Sequence, residues 1–294
     1  MPTEDATNEE PRETPADLPE AVSSTEGQKD LGRPSAEEIY QQVSTNARQE
    51  LKRSTFSLFL SGFGGGVFMG LSALGTAIAL FMLGTPGQAV THRVEFFSKM
   101  FYPLGFIVVI LGRSQLFTEN TLYPVALVLA ERRHLWNTAR LWATVLPANV
   151  LGALAFAALA SLTDALAPEI VHTLAQLGVQ TAQHPTSTIF WSGVMGGWII
   201  ALAAWLVSGS HSITGSVMVI WMLTFVVGLG NFAHCIAASG EVFAAILTHQ
   251  LPWSAYLKWF LLAVSGNIAG GVLMVTILEY GQVIADSVPE PVQD

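Results

Sequence analysis

The hydrophobic and polar positions divide the chain into a polar first tenth and a long apolar remainder cut by short polar breaks. Behind Ser35-Ala36-Glu37-Glu38, a capping-box pattern, Ile39, Val43, Ala47 and Leu51 recur at every fourth position. This predicts an amphipathic helix over about 35–53, lying at a membrane surface. Six hydrophobic stretches follow, at about 56–83, 101–130, 139–162, 189–208, 215–248 and 255–281. Turn-forming residues separate them: Gly84-Thr85-Pro86-Gly87, Glu131-Arg132-Arg133-His134, Gln183-His184-Pro185, Ser208-Gly209-Ser210 and Gln250-Leu251-Pro252. Each stretch reaches the roughly 20 apolar residues that cross a bilayer as helix. Six membrane helices are predicted, with a long loop at 163–188.

Charge sharpens this picture. Only fourteen Asp, Glu, Lys or Arg fall between Ser54 and Tyr280, and uncharged runs cover 54–92, 141–163, 170–240 and 259–278. A soluble enzyme is excluded on that composition, since about one residue in four is charged in soluble domains. Residues 1–30 carry nine acidic groups against Arg12 and Lys29, which is seven of the net nine negative charges of the chain. Residues 1–34 are expected to be a disordered acidic tail, 35–283 a membrane domain, and 284–294 a short second tail. No basic patch supports nucleic-acid binding. The single cysteine, Cys235, excludes an intrachain disulfide and a shared zinc site, and no cofactor or metal is expected. No signal peptide is recognised. Arg48, Lys52, Arg53, Arg132, Arg133 and Arg140 crowd one side against Arg93, Lys99 and Lys258 on the other, so both termini are expected in the cytoplasm.

An internal repeat is visible. Ala148-Asn149-Val150-Leu151-Gly152 in the third stretch matches Gly266-Asn267-Ile268-Ala269-Gly270 in the sixth, 118 residues on, and the same offset carries Leu116 to His234. With three helices per half, the second copy must be inverted, and such repeats place broken helices at the midplane. Stretches two and five are the polar, interrupted pair. Gly62, Gly66 and Gly70, Gly193 and Gly197, and Gly266 and Gly270 repeat every fourth residue, a pattern that lets helices approach closely.

Candidate chemistry lies in the interrupted pair. Stretch two holds Arg113, Ser114, Gln115, Thr118, Glu119, Asn120 and Thr121 among apolar residues; stretch five holds Asn231, His234 and Glu241. Charges at membrane depth are costly and face a partner or a water-filled cavity. Arg113 is therefore expected to pair with Glu119 or Glu241. His92, His134, His172, His184, His211 and His249 fall in loops or helix ends and read as solvated. Trp136, Trp142, Trp253 and Trp259 read as interface anchors.

The segment Gly112-Arg113-Ser114-Gln115-Leu116-Phe117-Thr118, the interrupted stretch around His234 and the paired Asn149 and Asn267 motifs resemble the formate/nitrite transporter family. The string from Arg113 through Thr121 and the His234-to-Glu241 spacing are similar to its YfdC-type inner-membrane branch. The resemblance covers about 35–283. It implies an aquaporin-like protomer, a homopentamer in the lipid bilayer of the inner membrane, and small weak-acid anions such as formate or nitrite as substrates. It also implies a solute pathway at Leu116, Phe117, Thr118, His234, Asn149 and Asn267. Against the family pattern, Gln115 replaces an acidic residue, Ala233 a glutamate, Ala238 an asparagine, and Ser216 a lysine that helps attract anions. Arg113, Glu119 and Glu241 are extra charges, expected to form an intramembrane network.

The expected function is a passive or proton-coupled channel for small monovalent anions or their conjugate acids. Leu116 and Phe117 form its apolar constriction, and Thr118 and His234 offer hydrogen bonds or a proton at its centre. Two alternatives stand beside it: a channel for small neutral solutes, and a membrane scaffold with a vestigial pore.

Overall fold

The computed structural model describes residues 34–85, 88–131 and 134–287. The expected tails at 1–34 and 284–294 lie outside these residues apart from their inner ends, as do Arg132 and Arg133. The described residues form helices joined by turns and irregular segments, without a strand. In chain order the helices are α1 (Ala36–Lys52), α2 (Thr55–Leu83), α3 (His92–Lys99), α4 (Pro103–Leu111), α5 (Tyr123–Glu131), α6 (Leu135–Leu162), α7 (Pro168–Ala182), α8 (Thr186–Ser208), α9 (Ile213–Leu229), α10 (Ser239–Leu247), α11 (Trp253–Gly271) and α12 (Ile277–Ser287).

Helix α1 starts as its sequence predicts. The Ser35 hydroxyl accepts from the Glu38 amide and the Glu38 carboxylate from the Ser35 amide, while Val43, Ala47 and Leu51 are buried. Five helical segments are long and apolar enough to cross a membrane: Thr55–Leu83, His92–Leu111, Leu135–Leu162, Thr186–Ser208 and Trp253–Ala285. The shorter Ile213–Leu229 is also apolar. The predicted loop at 163–188 instead contains α7, whose Leu174, Ala175, Leu177 and Gly178 are buried. A π-helical turn at Val272–Thr276 joins α11 to α12, and there Thr276 donates to the carbonyls of Thr121 and Gly271, both at 3.1 Å.

Two helix pairs form the frame, α2 with α6 and α8 with α11, and their glycines explain how close they come. A methyl group at Gly66 would collide with the Asn149 carbonyl, and one at Gly152 with that of Phe63. In the second pair, Gly197 and Gly270 meet the carbonyls of Asn267 and Val194 in the same way. Between helices in lipid, such close contact replaces the hydrophobic driving force that water would supply.

Helix stops and restarts within the stretches at 101–130 and 215–248, the pair expected to be interrupted. Helix α4 stops at Leu111 and helix resumes only with a 3₁₀ turn at Glu119–Thr121; α9 stops at Leu229 and helix resumes at Ser239. Both stops use one motif. Arg113 and Asn231 adopt left-handed backbone, φ 55° and 47°. Their amides donate to Ile110 and Gly228, while the next amides, of Ser114 and Phe232, reach back to Val109 and Val227. This is a Schellman C-cap, and each member of one set lies 118 residues from its counterpart in the other.

Candidate functional site

Each interruption leaves backbone groups without helical partners, and one asparagine holds each set. The Asn149 amide donates to the carbonyls of Gly62 at 2.7 Å and Gln115 at 2.8 Å, and its oxygen accepts from the Phe117 amide at 2.9 Å. Asn267 does the same for Gly193, Ala233 and Cys235 at 2.8, 2.8 and 2.9 Å. Both side chains are fully buried and both donors are committed to backbone. The two asparagines, expected along the solute pathway, are positioning residues for the interrupted segments.

The segments bring Thr118 and His234 together, with Thr118 Oγ1 2.8 Å from His234 Nε2 and both residues fully buried. His234 Nδ1 accepts from the Ala237 amide at 3.0 Å. That bond fixes the tautomer: a neutral ring carries its proton on Nε2 and donates it to Thr118, leaving the threonine hydroxyl hydrogen free to point elsewhere. A ring protonated on both nitrogens would lose the Ala237 bond. Phe106 packs edge-on against the imidazole, ring centroids 5.0 Å apart. Leu116 is completely buried, whereas the Phe117 ring packs edge-on against Trp142 at 5.4 Å.

Two cavities flank this centre. On the α1 side a cavity of about 410 Å³ is walled by Arg113, Gln115 and Glu119 from the first interruption and by Asn46, Gln49 and Glu50 from α1. Toward α3 and α7 a cavity of about 230 Å³ is walled by Lys99, Tyr102, Thr181, Asn231, Phe232 and Glu241. It borders a wider mouth of about 880 Å³, with Lys99 and Asn231 in both walls.

The expected charge network is not made. Arg113 forms no ion pair with Glu119 or Glu241; it sits exposed just past the C-terminal end of α4, in the wall of the cavity. Glu119 shares that cavity, while Glu241 lies in the other one. The cation facing Glu241 is Lys99, which falls between two of the predicted stretches and looks from sequence like a loop charge. Lys99 is 8% exposed and donates to Asn231 Oδ1 at 2.8 Å. Phe106 was also missed, being one apolar residue in an apolar run.

Other expectations are corrected as well. His134 is not simply solvated: its Nε2 pairs with Glu131 at 2.9 Å. His172, His184 and His211 are exposed as expected, at the rims of the cavities or the mouth. Trp136 and Trp253 are exposed as interface anchors would be, but Trp259 is buried and Trp142 turns inward, donating to the Asn120 carbonyl at 2.9 Å.

Two helices broken at equivalent points, meeting at a buried polar contact between two cavities, define a polytopic membrane protein of channel-type fold. Residues 37–281 match the family described as formate/nitrite transporter. The chain belongs to that family. It is 28% identical over 252 residues to the inner membrane protein YfdC of Escherichia coli K12, covering 84% of this chain and 79% of that one. With the formate channel BtFdhC of Bacillus thuringiensis it shares 21% identity over 239 residues, 80% of this chain and 90% of the relative. The fold matches a solved ion channel of the same family with a TM-score of 0.71 at 18% identity, covering 85% of this chain and 99% of that one. A pentameric formate channel with formate bound matches with a TM-score of 0.64, also at 18% identity, covering 78% of this chain and 98% of the other.

Proposed function

We propose that this protein is a channel for small monovalent anions of the formate and nitrite kind, carried across the membrane centre as their conjugate acids. The observation that carries the reading is the buried Thr118–His234 contact with a cation in the cavity on either side, Arg113 and Lys99. Each cation attracts an anion to the edge of the apolar zone. Desolvation there raises the anion's proton affinity, and the neutral acid then exchanges hydrogen bonds with the free Thr118 hydroxyl hydrogen. Leu116 and Phe106 keep water out of this step.

In this reading 35–283 is the channel domain and its six crossings form an inverted 3+3 repeat, which the shared 118-residue offset of the two caps and the two asparagines supports. The protein assembles as a homopentamer in the inner membrane with both termini cytoplasmic. A pentameric fold relative and the clustering of basic residues on the α1 side support those two points. A second reading, a channel for neutral solutes, is favoured by the carboxylate that each cavity also contains, Glu119 or Glu241.

The test is flux through purified protein in proteoliposomes, with formate and nitrite against urea and glycerol, at acid and neutral pH. Formate or nitrite flux that rises with acidity, and that His234→Asn changes without altering oligomer size, is the expected result. Flux of the neutral solutes alone would establish the second reading, and no flux of any solute would leave a scaffold.

A further inference from the structure

The cavity of about 230 Å³ holds two buried ionisable side chains that face a common space without touching. Lys99 is 8% and Glu241 6% exposed, and they form no direct ion pair, although each feels the other's charge. The ammonium group has three N–H donors, of which Asn231 takes one. Of the carboxyl oxygens, Oε2 accepts from Thr181 at 3.3 Å and Oε1 has no partner among the described residues. Two donors and one oxygen therefore remain uncommitted at a single cavity large enough for a small solute and a few waters.

We infer that Glu241 is the proton donor of this cavity, passing its carboxylic proton to an anion held on the Lys99 ammonium group before the solute moves on toward Thr118 and His234. The inference rests on the weak-acid reading above and adds the residue that supplies the proton. An ionised Glu241 would repel an anion at this spot, whereas a carboxylic acid offers it a hydrogen bond. In the transfer the O–H bond of Glu241 breaks and leaves its electron pair on the glutamate oxygen, while a new O–H bond forms on the substrate. The carboxylate that remains is stabilised by Lys99, and a proton from the solution in the outer mouth restores the acid. The net movement is one proton with one anion, as a neutral molecule. His234 is poorly placed for the same task, because Nδ1 already accepts from Ala237 and Nε2 is held by Thr118.

The groups around Glu241 leave few rivals. Tyr102 and the exposed His184 line the cavity with Lys99; Glu95, which accepts from Asn231 and whose charge acts on Lys99, lines the outer mouth with the exposed Glu169 and His172 of α7. Helix α2 carries no ionisable side chain. Arg140, the one charged residue of α6, is bonded to the carbonyls of Leu51 and Arg53. On α11 Tyr256 is bonded to Ser239, and Lys258 is exposed.

The experiment uses full-length protein in proteoliposomes carrying an internal pH dye, with formate as the weak-acid probe and formamide as a neutral solute of similar size. Wild-type formate flux is expected to rise as external pH falls. Glu241→Gln should lower formate flux by at least about tenfold and flatten its pH profile, with formamide flux within about twofold of wild type. Glu241→Asp should restore a pH-dependent profile with a displaced midpoint. A Glu241→Gln protein with the wild-type rate and profile overturns the inference while leaving the channel reading intact. Wild-type protein that moves no formate overturns both. Should Glu241→Gln fail to assemble, Thr181→Val decides: losing the hydroxyl that donates to Glu241 should displace the midpoint of the formate profile, and an unmoved midpoint overturns the inference.

Discussion

Replacing Asn149 by alanine tests whether one buried amide holds an interrupted helix in place. The change removes three hydrogen bonds. The Gly62 carbonyl keeps its own bond within α2, but the Phe117 amide and the Gln115 carbonyl lie outside regular helix and have no alternative. A buried polar group left unpaired costs about 1–3 kcal/mol, which gives about 2–6 for the two. Hydrogen bonds between membrane helices measure lower, about 0.6 kcal/mol on average and about 1.7 at most, or about 1–3 for the two. The overlap sets an expected loss of about 2–3 kcal/mol. Asn267→Ala, which strands the Cys235 amide and the Ala233 carbonyl, should match it to within about 1 kcal/mol if the two sites are equivalent. Reversible unfolding of the purified protein in mixed detergent micelles measures both, with the exposed Asn137→Ala as a control expected within about 0.5 kcal/mol of wild type. Should either core variant fall within the control's range, the asparagines do not anchor the breaks.

Three further outcomes are expected. Gly66→Leu should abolish accumulation of folded protein, because its side chain has only the Asn149 backbone to displace, while Gly64→Ala, which meets nothing nearer than the Phe68 ring at 3.6 Å, should stabilise by up to about 1 kcal/mol through helix propensity; expression level and thermal stability read both. Ser35→Ala should loosen the start of α1 by about 1 kcal/mol, read as faster hydrogen exchange at the Glu38 amide with no change in α2. Arg113→Gly should relieve a left-handed backbone conformation costing about 1–2 kcal/mol, so the variant should be no less stable than wild type yet carry less formate; a stability loss would show that the guanidinium has a structural partner.

The membrane class, the amphipathic α1 and the Thr118–His234 pairing were legible because each leaves a local signature: long uncharged runs, a capping box, and polar residues in apolar stretches linked by a repeat. The two asparagines were legible as a motif, but their commitment to backbone was not, since only the folded chain reveals which carbonyls lie within reach. Lys99 was misread because the linear pattern places it between predicted helices, and its burial arises from α3 folding against α9. Trp142 and Trp259 were misread because an aromatic residue near a helix end looks the same whether it turns to lipid or to protein. Arg113 was expected to need a carboxylate because a charge at membrane depth is costly; the cap at Gly112 instead puts it at a helix end, exposed beside a cavity. Helix α7 lacks the length and hydropathy of a membrane helix, although Ile170, Leu174 and Leu177 do follow helical spacing.

The closed middle has an electrical consequence. Leu116, Thr118 and His234 admit no solvent, whereas the regions of Arg113 and Lys99 on either side open into cavities. Where water and ions fill a cavity, the potential there approaches that of the adjoining solution, so a transmembrane voltage would fall mainly across the dry layer between the two cavities. A charged solute crossing that layer would work against about 2.3 kcal/mol for every 100 mV, and its passage would depend on the energised state of the cell. A neutral acid crossing the same layer does no electrical work, and its direction follows the gradients of proton and anion alone.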